Sequence, residues 1–181
     1  MKTHSIAFIG IMIAVLIILG FIPPITIGII PVPIAVQSMG VLLAGLLLGK
    51  RNGTIAVLLL LLLVAVGLPV LAGGRGGFAL FYSPTAGYII AYPIAAFLIG
   101  WWSGKLGEKP SFLRLFAVTV IAGVLVIDSF GAIGLHFVTG MPLKAAFLSN
   151  LVFIPGDLLK AILSVIILQR LPKNLRYKLR A

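Results

Sequence analysis

Asp157 and Lys160 stand three residues apart inside an apolar run, directly after Pro155-Gly156. Residues i and i+3 share one face of a helix, so the acid and the base can point the same way. At a bilayer centre each is unfavourable by roughly 2.5–3.5 kcal/mol, so together they carry about 5–7 kcal/mol that needs a reason. A polar ligand pocket is the leading reason. The rival is structural: the two charges pair and pin a kinked helix. The pair is net neutral, so a pocket built on it can be largely preformed, and each member can still hydrogen-bond a neutral polar ligand. If a helix restarts at Pro155, Asp157 falls in its first turn, where an acid is favoured. Lys160 is about 15 Å along the axis from Arg170 at ~1.5 Å per residue, too deep for an easy reach to the interface.

A second unusual stretch is Ala72-Gly73-Gly74-Arg75-Gly76-Gly77-Phe78, followed by Tyr82-Ser83-Pro84-Thr85-Ala86-Gly87-Tyr88. Four glycines flank one arginine. Backbone without side chains can approach a ligand closely and take positive φ at Gly73 and Gly74. The guanidinium of Arg75 is a planar fork that suits a carboxylate. The bland alternative is a flexible connector with one interfacial charge.

Other polar residues are scattered. Asp128, in Val126-Ile127-Asp128-Ser129, is another acid within an apolar run; it can serve the site or bond across helices. Gln37 and Asn150 divide in the same way between ligand contact and interhelical bonding. His4 reads as solvated and His136 as interfacial. Two distant histidines and three acids give no metal-site spacing. No cofactor is implied, and no Ser-His-Asp or paired-carboxylate arrangement emerges, which argues against an enzyme. Gly49-Lys50 is followed by Arg51, so the phosphate-binding pattern Gly-Lys-Ser/Thr is missing and the chain shows no energy source of its own.

The elements that position these groups follow from composition. The 181 residues are 61% hydrophobic and 9% charged, with a mean hydropathy of +1.27. A soluble domain carries about 25% charged residues. The expectation is an all-α integral membrane protein, one membrane domain over residues 1–181. Cysteine is absent, which removes disulfide and thiol chemistry. Six spans can be drawn: Ser5–Ile22, Ile34–Gly49, Thr54–Leu71, Pro84–Ser103, Phe112–Val138 and Pro142–Leu171, the last broken at Ile154-Pro155-Gly156. The apolar stretch Ile6–Ile22 exceeds a typical signal-peptide core and reads as an uncleaved first helix. Pro23, Pro24, Pro31 and Pro33 bracket an uncharged connection that reads as extended chain. Small-residue patterns at Gly10/Ala14, Gly40/Ala44 and Gly45/Gly49 permit close helix contact.

The net charge of +11 collects at span ends. One side holds Lys2, Lys50, Arg51, Lys105, Lys109, Arg114, Arg170, Lys173, Arg176, Lys178 and Arg180. The other holds Arg75 and Lys144, and Lys160 lies within the membrane. The split of 11 against 2 puts both termini in the cytoplasm of a cell-membrane protein and the glycine loop outside. The basic C-terminal run then meets anionic lipid headgroups. Nucleic-acid binding is not expected.

Several of these runs together resemble the BioY family: Pro31-Val32-Pro33-Ile34-Ala35-Val36-Gln37-Ser38-Met39-Gly40-Val41-Leu42-Leu43-Ala44-Gly45, Gly67-Leu68-Pro69-Val70-Leu71-Ala72-Gly73-Gly74, Ser83-Pro84-Thr85-Ala86-Gly87-Tyr88 and Pro155-Gly156-Asp157-Leu158-Leu159-Lys160. These are the biotin-binding S components of energy-coupling factor (ECF) transporters. The resemblance implies capture of biotin from outside. It also implies a membrane T component with two ATPases as partners, and a toppling motion that releases the vitamin inside. It assigns Asp157 and Lys160 to the ligand. Family docking through small residues of the first helix corresponds here to Gly10 and Ala14. Arg75 is the expected carboxylate partner, and Phe78, Tyr82 and Tyr88 the expected cover for the apolar bicycle. The candidate contact set is completed by Gln37, Gly73, Gly74 and Thr85. The competing reading is a self-contained proton-coupled carrier that uses Asp128, Asp157 and Lys160 as a relay.

Overall fold

The computed structural model describes residues 3–25, 32–107 and 110–180. The expectations for Lys2, Lys109, Pro31 and the middle of the proline-bracketed connection lie outside them. So do the side chains of Lys173 and Arg180. The described chain is helical, and among these residues pairing between extended segments is limited to isolated bridges, Ile25 with Ile34 and Leu71 with Arg75. The helices are α1 (Thr3–Phe21), α2 (Gln37–Ala65), α3 (Ala86–Lys105), α4 (Phe112–Thr119), α5 (Leu125–Thr139), α6 (Leu143–Asn150), α7 (Ile154–Arg170) and α8 (Lys173–Arg180). Four helical stretches are long and apolar enough to cross a membrane, or five if the bent pair α6–α7 is one span. The protein is a multi-pass membrane protein.

The second and third expected spans are the two arms of α2. Gly49 alone leaves helical geometry, with φ 73° and ψ −175°. That combination is accessible essentially only to glycine. The chain reverses there: a Cβ on Gly53 would press into the backbone carbonyl of Ala44. Residues nine apart on a straight helix lie about 13 Å apart along its axis, so this contact requires arms that fold back on each other. The basic turn around Lys50 and Arg51 is therefore tighter than a separate loop.

The expected fifth span is continuous but not uniform. A π turn at Val120–Val124 joins α4 to α5, and Gly123 lies within it under Leu42 and Ile99. The last expected span bends by 51° between α6 and α7. The break falls at residues 151–153, earlier than the Ile154-Pro155-Gly156 expected from the sequence. The reason is that proline is tolerated in the first turn of a helix, where its missing N–H has no partner to lose. Pro155 therefore starts α7 rather than interrupting it.

The core lies between α2, α3 and α5, with α1 packed on α2. Leu16, Leu42, Leu46, Leu60, Ile99 and Leu135 are fully enclosed in it. Gly40 takes the side chain of Leu16 on α1, so this small-residue pattern works within the chain. A Cβ on Gly10 would meet nothing within 4 Å, and both Gly10 and Ala14 are exposed.

Candidate functional site

Three helices begin around one cavity. Its wall includes Gln37 and Ser38 at the start of α2, Tyr88, Ile89 and Tyr92 in the first turns of α3, and Asp157 and Lys160 in α7. The wall is completed by the segment 32–35, by Leu71, Ala72 and Arg75 of the glycine loop, by Thr85, by Ile127 and Asp128 of α5, and by Phe153 at the bend. Counted out through its open mouth into solvent, the space is about 590 Å³. The positive ends of three helix dipoles converge on it, which favours negative charge there.

Lys160 and Asp157 form the ion pair that their spacing suggested, with Nζ to Oδ1 at 2.7 Å and side chains only 10% and 14% exposed. Lys160 Nζ also donates to Ser38 Oγ at 3.0 Å, and the Ser38 hydroxyl in turn donates to the carbonyl of Ala35 at 3.2 Å. An ammonium has three donors; two are engaged, so one is left for a ligand. The pair joins α7 to α2, and it faces the cavity.

The glycine loop is docked by Gln37, which is fully buried. Its amide nitrogen donates to the carbonyls of Leu16 at 3.0 Å and Val70 at 2.8 Å, and its oxygen accepts from the N–H of Ala72 at 2.9 Å. Gln37 touches the cavity, but its side chain is spent on holding α1, α2 and the loop together. Gly73 and Gly74 take positive φ, 77° and 67°. They do not line the cavity; they close the turn that pairs Leu71 with Arg75. Arg75 Nε donates to Ala72 O at 3.1 Å, while its two terminal nitrogens have no partner among the described residues.

Tyr88 is fixed from two sides. Its hydroxyl donates to Asn150 Oδ1 at 2.6 Å, its ring meets Phe153 edge-on at 6.2 Å, and it leans on Gly131, where a Cβ would collide with the ring. Thr85 also lines the cavity, with its hydroxyl 2.8 Å from that of Ser83. Phe78 and Tyr82 do not line it: they are 61% and 72% exposed. The short 3₁₀ turn Phe78–Tyr82 packs Leu80 and Phe81, both half-buried, against Leu61, Val64, Leu71 and Ile89 instead. The sequence reading missed Tyr92 and Phe153. Tyr92 had a signal, because Thr85, Tyr88, Ile89 and Tyr92 follow the i, i+3, i+4, i+7 spacing of one helix face. Phe153 had none, because it reaches the wall only through the bend before α7. Among the described residues no three metal-ligating side chains stand together.

The family model that matches this chain is that of the BioY family, over residues 1–177. The chain belongs to the BioY family. A relative from Lactococcus lactis subsp. cremoris named biotin transporter BioY is 47% identical over 175 residues, which cover 96% of this chain and 93% of the relative. The biotin transporter BioY of Rhizobium etli is 43% identical over 172 residues, 92% of each chain. A crystal structure at 2.1 Å, described as the S-component for biotin from an ECF-type ABC transporter, matches with a TM-score of 0.90 and 46% identity. It covers 93% of this chain, and 90% of that chain is matched. The BioY fold therefore extends over essentially the whole of this molecule.

Proposed function

We propose that this chain is a biotin-capturing S component, a transport protein rather than an enzyme. The observation that carries the reading is the Asp157–Lys160 pair in the cavity of a BioY-family fold. Biotin offers a neutral ureido group, an apolar bicycle and a carboxylate tail. The ureido group matches the pair, because a neutral ligand does not disturb a charge balance that Asp157 and Lys160 already satisfy. An ureido N–H donates to Asp157, and the remaining N–H of Lys160 donates to the ureido oxygen. The carboxylate goes to Arg75, whose terminal nitrogens are uncommitted and whose fork is shaped for it. Tyr88, Tyr92 and Phe153 enclose the bicycle. A proton-coupled carrier has less support, since the relatives and the matching structure carry the names of biotin transport.

The two arms of α2, with α1, α3, the α4–α5 rod and the bent α6–α7 pair, make six spans. The arm 37–48, α3 and α7 each run from the cavity to a basic end at Lys50, Lys105 or Arg170. Positive-inside bias then sets those ends and both termini in the cytoplasm of the cell membrane, with the cavity open to the outside. Energy comes from partners, a T component and two ATPases, and Gly10 and Ala14 on the exposed side of α1 suit the docking of a membrane helix.

Calorimetric titration of the detergent-purified chain with biotin is the test. Saturable one-site binding is expected, and its absence overturns the proposal. Arg75→Ala weakens biotin by about 1.5–3 kcal/mol, the worth of a hydrogen bond to a charged group, and weakens biotin amide far less. An equal loss for both ligands removes Arg75 from the carboxylate.

A further inference from the structure

Two acids line the cavity, and only one is engaged. Asp157 takes the ammonium of Lys160. The carboxyl oxygen Oδ2 of Asp128 is buried and has no hydrogen-bond partner among the described residues. A buried acceptor without a donor is rare in native proteins and calls for an explanation. One placed in the apolar layer of a membrane is more unfavourable still.

The contacts that hold Asp128 in place do not involve its side chain. The backbone is what the fold grips: the carbonyl of Asp128 accepts from Asn150 Nδ2 at 2.7 Å, and Asn150 Oδ1 in turn takes the hydroxyl of Tyr88. One turn further along α5, Gly131 lies against the ring of Tyr88. Residues 128–131 are therefore clamped between α3 and α6 without help from the carboxyl group, which is left at the cavity wall beside Ile127. Of the other charged groups that line the same cavity, Lys160 is paired with Asp157, and Arg75 is bonded through Nε to Ala72.

We propose that Asp128 is a ligand-binding residue that accepts the second ureido N–H of biotin. This rests on the biotin reading above and extends it. A cyclic urea presents N–H, C=O and N–H in one plane. Asp157, Lys160 and Asp128 present acceptor, donor and acceptor. The arrangement selects for a ring with two N–H groups over one with a single N–H, and the idle carboxyl of the empty protein finds its donor when the ligand arrives.

The test compares wild type, Asp128→Leu and Asp128→Asn by titration with biotin and by thermal melting of the empty, detergent-purified full chain. Leucine removes both acceptor oxygens, so Asp128→Leu lowers biotin affinity about 10- to 100-fold, the range of one hydrogen bond to a charged group. Asp128→Asn keeps one acceptor oxygen and loses less. Melting of the empty protein is unchanged or raised in both, because an unsatisfied carboxyl has been removed. The ligand-side arm uses the two cyclic carbamates in which one ureido N–H is replaced by oxygen, competed against labelled biotin. One of them binds wild type and Asp128→Leu equally, since the N–H facing residue 128 is already gone.

Affinity of Asp128→Leu within twofold of wild type overturns the proposal. So does a clear drop in melting temperature of the empty Asp128→Asn protein, which would make the carboxyl a structural partner. So does an equal loss for biotin and both carbamates. If the wild type itself fails to bind biotin, the biotin reading falls first. If the wild type binds and residue 128 is indifferent, only the present inference falls.

Discussion

Asp157 and Lys160 make the strongest case that chemistry can be read from residue type and spacing. Three residues apart, after a proline that starts a helix, they meet at 2.7 Å. What spacing could not show is the third member, Ser38, which arrives from a helix more than a hundred positions earlier. Removing either charge leaves the other buried without its partner, a situation that costs about 3–5 kcal/mol in other buried pairs. Asp157→Ala and Lys160→Ala are therefore each expected to lower biotin affinity by more than a hundredfold. The double variant should lose far less than the sum, because the second substitution removes a charge already orphaned. Titration of the three variants checks this, and additive losses would mean that the two residues contact the ligand independently. Arg75, a lone charge among glycines, reaches the cavity wall. Gln37 shows the limit of such reading. Its type fits a ligand contact, but each of its three hydrogen bonds goes to backbone from a distant part of the chain, and no local pattern announces that.

The helices were legible wherever the cause of their limits is local. Phe112 and the 138–139 end of the long fifth rod, the turn after Lys105 and the start of α3 near Ala86 all follow proline, glycine or charge in the sequence. The π turn at Val120–Val124 was not legible: Val-Ile-Ala-Gly-Val contains no strong breaker, and its glycine is pressed by Leu42 and Ile99 from other helices. The aromatic pair Phe78 and Tyr82 was misplaced because its face is chosen by the satellite cluster that Leu80 and Phe81 join. The reversal in α2 offers a clean test of how much one residue does for an element. Gly49 combines φ 73° with ψ −175°, and a Cβ in that region is strained by about 1–3 kcal/mol. Gly49→Ala should therefore lower the thermal stability of the purified protein by that order. In the fraction that remains folded, biotin affinity should hold, because the reversal lies at the opposite end of the arm from Gln37 and Ser38. An unchanged melting temperature would show that the reversal is not held by the conformation of Gly49.

The molecule as a whole is arranged by an asymmetry of charge. The starts of α2, α3 and α7, with their positive dipole ends, gather at the cavity, while Lys50, Lys105 and Arg170 mark the far ends of the arm 37–48, α3 and α7. The two biases serve different purposes: the first favours an anionic group in the site, and the second orients the chain during insertion. The aromatic step at the basic end fits the same frame, since Trp101 and Trp102 stack and Lys105 lies 3.7 Å over the ring of Trp101. Such a cluster suits the boundary between headgroups and hydrocarbon. Charge counting in the sequence proposes an orientation with the pocket near the outer face, but the make-up of the cavity wall was not legible, because it draws on the segment 32–38, the glycine loop, α3, α5 and α7 together. Orientation is measurable without disturbing the fold, since the chain contains no cysteine. A cysteine placed at Tyr82, exposed beside the cavity end, should react with a membrane-impermeant maleimide on intact cells. A cysteine placed at Arg51, exposed in the tight turn of α2, should react only after the membrane is opened. The opposite pattern would put the cavity on the cytoplasmic side, and capture from outside would then be untenable. With the expected pattern, the absence of a nucleotide-binding motif acquires a consequence: proteoliposomes holding this chain alone should bind biotin yet accumulate none under a pH gradient. Accumulation should begin when the T component and both ATPases are added with ATP, and gradient-driven accumulation by the chain alone would restore the carrier reading.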